Sequence, residues 1–328
     1  MSTNTKIGWT DATWNPTTGC TKVSQGCKHC YAEREWKRLA ANPRGGVYQG
    51  REFTDVRCHP ERLDQPLKWR KPRRVFVNSM SDLFHENVPD EFIDQVFAVM
   101  ALAPPHIFQV LTKRPRRMWE YMIGQHDIDG LDDVTRVECI RFAAQDYTCT
   151  PDEDVRWPPP NIHLGVSCED QASANERIPL LLKTPAAVRW VSLEPLLGPV
   201  DIRRWITDAA TETAQRGDPL AATLMRQSVA EGSGWMAPTL DWFVVGGESG
   251  PKARPCCVEW IRDVIDQCHE AWVPVFVKQL GARPVRWVQA PSADGYGDYG
   301  PEDVKLSNRA GSDPSEWPED LRVQEYPA

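Results

Sequence analysis

The sequence predicts an α/β protein whose parallel strands form a partial barrel of the (β/α)6 type. Three observations predict it. Short runs rich in Val, Ile and Phe recur along the chain and are too short to stand as helices. Stretches with apolar residues at helical spacing lie between several of them. Each run also ends in charged or small polar residues, where a barrel of this kind carries its chemistry.

An extended start near residues 11–17 is followed by six strand-like runs. They are VFVNSMSD (75–82), FQVLTKR (108–114), IHLGVSCED (162–170), VRWVSLEP (188–195), WFVVGGESG (242–250) and VFVKQLG (275–281). Residues 89–103 place Phe92, Val96, Val99, Met100 and Ala103 on one helical stripe behind Pro89 and acidic residues. Residues 171–183 read as a helix that Pro179 should interrupt or end. Residues 257–270 carry Val258, Ile261, Val264, Ile265 and Cys268 at helical spacing.

Two segments break the rhythm and read as insertions, at about 124–160 and 203–238. The first ends in Pro158, Pro159 and Pro160; the second contains EGSG at 231–234. From residue 289 the chain turns Gly-, Pro-, Ser- and acid-rich. The expected organisation is one partial barrel over 1–288 and a flexible or extended tail over 289–328.

Composition narrows the function classes. The 328 residues hold 46 acidic and 38 basic side chains, a formal charge of −8, which argues against a polybasic mode of binding but not against a local basic groove. No apolar run approaches the ~18 residues of a membrane span, and MSTNTKIGWTD lacks the pattern of an export signal, so the expected location is cytoplasmic. The ten cysteines then read as a reduced set, some of them metal ligands, rather than a disulfide framework.

The strongest chemical signal is TTGCTKVSQGCKHCYAE. Cys20, Cys27 and Cys30 are spaced C-x6-C-x2-C, and a glycine precedes each of the first two. A C-x2-C pair converges on one metal from a tight loop, and a third cysteine joins it if the loop folds back. Thiolates select zinc or an iron–sulfur cluster. A structural zinc site wants a fourth ligand, for which His29, Cys58 and His59 are candidates; three cysteines alone suit a four-iron cluster with one open iron. Incidental thiols are the bland alternative. Cys139, Cys149, Cys256, Cys257 and Cys268 read as small core hydrophobes, and strand parity turns Cys168 away from Ser167 and Glu169.

A cysteine triad in a loop after the first strand, followed by further β–α units, resembles the radical S-adenosylmethionine superfamily. Within it the chain looks nearest to the spore photoproduct lyase-like branch. More closely it resembles a phage-encoded family of unassigned function, which carries the blocks IGWTDATWNPTTGCTKVSQGCKHCYAE, VFVNSMSDLFHENVP, FQVLTKRPRRM, LGVSCEDQ, RIPLLLKTPAAVRWVSLEPLLGPVD, DWFVVGGESGPKARP and VFVKQLG in order. The resemblance implies a [4Fe-4S] cluster on Cys20, Cys27 and Cys30, with S-adenosylmethionine on the open iron. It also implies an electron donor such as a flavodoxin or ferredoxin and a 5′-deoxyadenosyl radical that abstracts hydrogen. The chain departs from the commonest C-x3-C-x2-C spacing. It also lacks a Gly-Gly-Glu after its second strand, where Asn78, Ser79, Ser81 and Asp82 stand and would meet the methionine amine.

Strand parity adds a ring of charge. Residues two apart share a face. Lys113, Ser167 with Glu169, Glu194, Gly246 with Glu248, and Lys278 then end the successive strands on one side. Three carboxylates and two ammoniums are costly to bury unpaired, so they should pair mutually or meet a charged ligand. S-adenosylmethionine is such a ligand, and Glu169 could accept its ribose hydroxyls. Gly246 and Gly247 would let the backbone approach it.

Two basic stretches, 57–74 (Arg57, Arg62, Lys68, Arg70, Lys71, Arg73 and Arg74, with Trp69 among them) and 113–117, suit a DNA or RNA backbone and its bases, or simply a solvated face. The leading expectation is a radical S-adenosylmethionine enzyme that modifies or repairs a substrate, with nucleic acid as one candidate. The alternative is a non-catalytic zinc- or cluster-stabilised module that binds nucleic acid or another partner.

Overall fold

The apolar runs become parallel strands, each within two residues of its expected start. A computed structural model describes residues 5, 7–43, 46–128, 131–147, 156–206, 239–289 and 299–327. The chain divides into two compact units. The first holds Met1–Ser167 with Pro179–Val188; the second holds Cys168–Ile178 with Arg189–Ala328.

In the first unit four parallel strands lie in the order β1 (Ala12–Trp14), β4 (Arg74–Val77), β5 (Ile107–Thr112) and β8 (Ile162–Ser167). Two short strands, β2 (Thr17–Thr18) and β3 (Arg57–Cys58), pair antiparallel beside them. The register sets Thr13, Phe76, Gln109 and His163 side by side. The neighbouring row, Ala12, Val75, Phe108 and Ile162, is apolar and buried. The period-2 alternation thus gives one apolar face and one of mixed polarity.

Helix α2 (Asp90–Ala101) buries the stripe read from the sequence, starts behind Pro89, and carries Asp90 and Glu91 in its first turn. Carboxylates there complement the positive end of the helix dipole. Helices α1 (Tyr31–Ala40) and α3 (Pro115–Ile123) were not expected. The described part of the first insertion is a hairpin, β6 (Gln125–Ile128) and β7 (Leu131–Thr135), followed by α4 (Arg136–Ala144). Arg136 ties α4 to α2 through Asp94 at 2.8 Å and Asp90 at 3.1 Å.

Helix α5 (Gln171–Lys183) runs through Pro179, contrary to the expected break. Its buried stripe of Ala174, Ile178 and Leu181 explains the difference. Burying two large aliphatic side chains offsets the cost of about 3 kcal/mol for an interior proline.

In the second unit β10 (Trp242–Gly246) lies between β9 (Val188–Leu193) and β12 (Val275–Gln279), all parallel. Every residue of β10 is buried. Helix α6 (Arg203–Ile206) begins the second insertion, whose residues 207–238 lie outside the described ones. Helix α7 (Val258–Glu270) buries the expected Val258, Ile261, Val264, Ile265 and Cys268.

A small sheet joins β11 (Cys256–Cys257), β13 (Pro284–Gln289) and β14 (Tyr299–Asp303). The stretch expected as a tail contributes β14, buries Trp317 and Leu321, and ends as an extended arm along β12. The Val277 amide donates to the Val323 carbonyl at 2.8 Å and the Glu325 amide to the Val275 carbonyl at 3.0 Å. An arm so placed covers backbone groups that an edge strand leaves open.

Candidate functional site

The cysteine loop begins at Gly19, where the chain must turn sharply. Gly19 has φ +93°, and a Cβ there would sit 2.3 Å from the Asp55 carbonyl oxygen. Only glycine meets both conditions. Its amide donates to the Met80 carbonyl at 3.1 Å, and that of Cys20 to the Phe53 carbonyl at 2.8 Å. Gly26 lies in a one-turn 3-10 helix, Gln25–Cys27, and is not among the positive-φ glycines. Cys30 is the residue before α1 and holds its N-cap position, with no side-chain hydrogen bond to the helix start.

Burial pushes the Cys20 thiol up to about 12, helped by the Asp82 carboxylate and opposed by the Arg114 guanidinium. Burial also raises Cys30, against the pull of the α1 amides. Cys27 is close enough to add repulsion to the thiolates of both Cys20 and Cys30, and Lys113 favours that of Cys30.

The end of β4 folds against this loop. Asn78 adopts a left-handed φ of 62°. Asparagine tolerates that region better than most residues. Its Oδ1 accepts from the Thr17 amide at 3.3 Å, which fixes the amide orientation. Its Nδ2 is buried with no hydrogen-bond partner among the described residues. Ser79 donates to Asn15 at 3.2 Å, and its carbonyl accepts from the Tyr31 hydroxyl at 2.5 Å. The Ser81 hydroxyl lies 2.8 Å from that of Thr17.

Asp82 is fully engaged. Its Oδ1 accepts from the Thr112 hydroxyl at 2.7 Å and the Phe84 amide at 3.1 Å. Its Oδ2 accepts from the Lys113 amide at 3.1 Å and from Arg114 at 3.4 Å. Lys113 hydrogen-bonds the Ser167 hydroxyl at the end of β8. The first unit thus brings Ser81 against Gly19, Asp82 against the arginine that reaches Cys20, Ser79 against Tyr31 next to Cys30, and Ser167 against Lys113, while Asn78 holds Thr17.

In the second unit the remaining residues form separate pairs. Lys278 lies 3.0 Å from Glu194, an ion pair between two members of the expected ring. Glu169 instead takes Arg177 at 2.9 Å, both side chains under 5% exposed. Glu248 takes Arg254 at 2.6 Å. Neither arginine was read into the ring. The glycines have a structural reason of their own. A Cβ on Gly246 would meet the Gln279 carbonyl and Glu194 at 2.9 Å, and one on Gly247 the Leu280 carbonyl at 2.3 Å. Their missing side chains make room for the protein's own chain.

The other expectations sort by burial. Cys139, Cys168, Cys256, Cys257 and Cys268 are buried, while Cys149 lies outside the described residues. His59 lies 2.7 Å from the Thr18 hydroxyl and 3.2 Å from Glu61, so its ring is engaged in the β2–β3 corner. In the basic stretches Arg57, Lys68, Arg74, Arg114 and Arg117 are in ion pairs with Asp55, Asp64, Asp11, Asp82 and Asp90. Arg70, Lys71 and Arg116 are exposed.

Sequence reasoning missed Arg114 as a site residue. It follows Lys113 in KRPRR, so parity set it aside and composition filed it with a basic surface run. Its side chain is only 9% exposed and meets Cys20 across 94 residues of sequence.

Among the described residues no three His, Cys, Asp or Glu side chains are gathered closely enough to hold a metal ion. The donor chemistry nonetheless fits a soft-metal group. Cys20, Cys27 and Cys30 are free, partly exposed thiols on one loop. The helix-start amides partly offset the burial that raises Cys30, and Asn78 keeps a buried Nδ2 without a partner among the described residues.

These features define an α/β protein with parallel strands, whose polar strand ends adjoin a glycine-turned, three-cysteine loop. The chain belongs to the family described as "Protein of unknown function (DUF5131)", whose match covers residues 4–301. Neither the curated proteins nor the solved structures contain a match.

Proposed function

We propose that the protein is a radical S-adenosylmethionine enzyme on a partial (β/α)6-type barrel, with Cys20, Cys27 and Cys30 as the ligands of a [4Fe-4S] cluster. The observation that carries this reading is that the end of β4 folds onto the cysteine loop, where the Met80 carbonyl accepts from Gly19 and Asp82 meets the arginine that reaches Cys20. A bound cluster and S-adenosylmethionine would supply a 5′-deoxyadenosyl radical for hydrogen abstraction.

The chain's own residues bind and orient. The Asn78 Nδ2 group donates to an oxygen of the ligand. Lys113, held by Ser167, offers an ammonium to an anionic group. Asp82 keeps the loop and the end of β5 in register. In the second unit Glu169, Glu194, Glu248 and Lys278 are the charged groups proposed to meet a polar ligand. The electron donor is a flavodoxin or ferredoxin, and the setting is cytoplasmic. Nucleic acid is the substrate class to test first, because Arg70, Lys71 and Arg116 remain exposed.

The test is anaerobic purification and reconstitution. The reading expects a brown, oxygen-sensitive protein with iron near four per chain. Under strong reduction it should release methionine and 5′-deoxyadenosine. Colourless protein with stoichiometric zinc and no iron uptake would refute it and favour a zinc-stabilised binding module.

A further inference from the structure

We infer that Arg114 is the positioning residue for Cys20, and that through the Cys20 sulfur it sets the reduction potential of an iron–sulfur group on the loop. The first half stands on hydrogen bonds alone; the second rests on the proposed function.

The guanidinium is anchored before it reaches the loop. The Arg114 amide donates to the Thr112 hydroxyl at 2.8 Å, which fixes the start of the side chain. Its Nε donates to Glu86 at 2.9 Å, and Nη1 to Asp82 at 3.4 Å. The remaining donors face the loop. Nη1 donates to the Cys20 sulfur at 3.7 Å, and Nη2 to the Thr21 carbonyl at 3.3 Å and the Thr21 hydroxyl at 2.8 Å. One planar fork therefore grips carbonyl, hydroxyl and sulfur of two successive residues, which the point charge of a lysine cannot do.

Buried His85 braces the same corner. Its Nδ1 accepts from the Asn87 amide at 3.1 Å, so Nε2 carries the proton toward the Thr21 hydroxyl 2.9 Å away. Arginine and histidine thus hold Thr21 from two directions, and Cys20 moves with it.

The contact with sulfur has an electronic consequence. Hydrogen bonds to ligand sulfurs and nearby positive charge favour the more reduced state of an iron–sulfur cluster. Arg114 brings both to Cys20 through a direct contact with its sulfur. Removing the guanidinium should therefore move the midpoint potential to a more negative value.

Two measurements on wild type, Arg114→Met and Arg114→Lys test the halves separately. In protein without metal, hydrogen exchange at the Gly19 and Cys20 amides should quicken about tenfold in Arg114→Met and less in Arg114→Lys. In reconstituted protein, a dithionite titration followed by electron paramagnetic resonance should give a more negative midpoint in Arg114→Met. Unchanged exchange overturns the positioning role. An unchanged midpoint with iron bound overturns the electronic one. If wild type takes up no iron–sulfur cluster, the enzyme reading and the electronic role fall together, while exchange still decides the positioning role. Should Arg114→Met fail to fold by circular dichroism, the neutral Arg114→Gln carries both comparisons.

Discussion

The Thr112 hydroxyl donates to the Asp82 carboxylate at 2.7 Å, binding the last residue of β5 to the loop after β4. Asp82 also stands against Arg114, and the two side chains are 8% and 9% exposed. Truncating Asp82 leaves the buried Arg114 only the exposed Glu86 as an ion-pair partner. Asp82→Ala should cost about 3 kcal/mol, and Thr112→Val about 1 kcal/mol. Urea unfolding without any ligand measures both. A loss below ~1 kcal/mol for Asp82→Ala would return this carboxylate to the pool of groups free to bind a ligand.

Gly19 makes the cysteine loop possible, and its replacement should be felt there first. Gly19→Ala must place a methyl 2.3 Å from the Asp55 carbonyl at φ +93°. The strain and the forced shift should cost about 2 kcal/mol or more. Iron uptake on reconstitution should fall with it, because Cys20 follows directly. Retained stability together with full iron uptake would contradict the role given to this turn.

The strands were legible because each parallel strand is buried and therefore reads as a continuous Val-, Ile- and Phe-rich run. The short pairs β2–β3 and β11–β13 were not, since two-residue partners such as Thr17–Thr18 and Cys256–Cys257 leave no periodicity. Pro179 misled because local propensity cannot see the burial of Ile178 and Leu181 on either side of it. The cysteine loop could be read from its spacing, and the polar residues at the end of β4 from their position after the second strand. The partners that define their chemistry were not. Arg177 and Arg254 follow their carboxylates on the next segment, where alternation gives no guide. Arg114 looked like surface charge until the fold turned it inward.

Acid should loosen the first unit through His163. Burial pushes this imidazole down to about 4 from an ordinary value of 6.5. The unfolded chain therefore binds a proton between those values while the folded one does not. Stability from this group is full above about pH 6.5 and is lost as pH falls toward 4. The loss amounts to about 3 kcal/mol at about 1.4 kcal/mol per unit. Urea unfolding at several pH values should show a shallower acid limb in His163→Gln. A wild-type-to-variant difference that does not change with pH would rule this out.

Glu169 separates a structural role from a ligand-binding one. Its carboxylate meets Arg177 at 2.9 Å with both side chains buried. Arg177→Met leaves a buried carboxylate without that cation and should cost about 3–5 kcal/mol, whereas Glu169→Gln keeps the shape and should cost less. If Glu169 also accepts ribose hydroxyls, Glu169→Gln should weaken S-adenosylmethionine binding by about tenfold, measured calorimetrically on reconstituted protein. Because Glu169→Gln alters both the ion pair and the acceptor, Arg177→Lys serves as the control, keeping the cation and leaving the carboxylate intact. Weaker binding in Glu169→Gln with normal binding in Arg177→Lys assigns the carboxylate to the ligand. Equal loss in both variants assigns it to the fold.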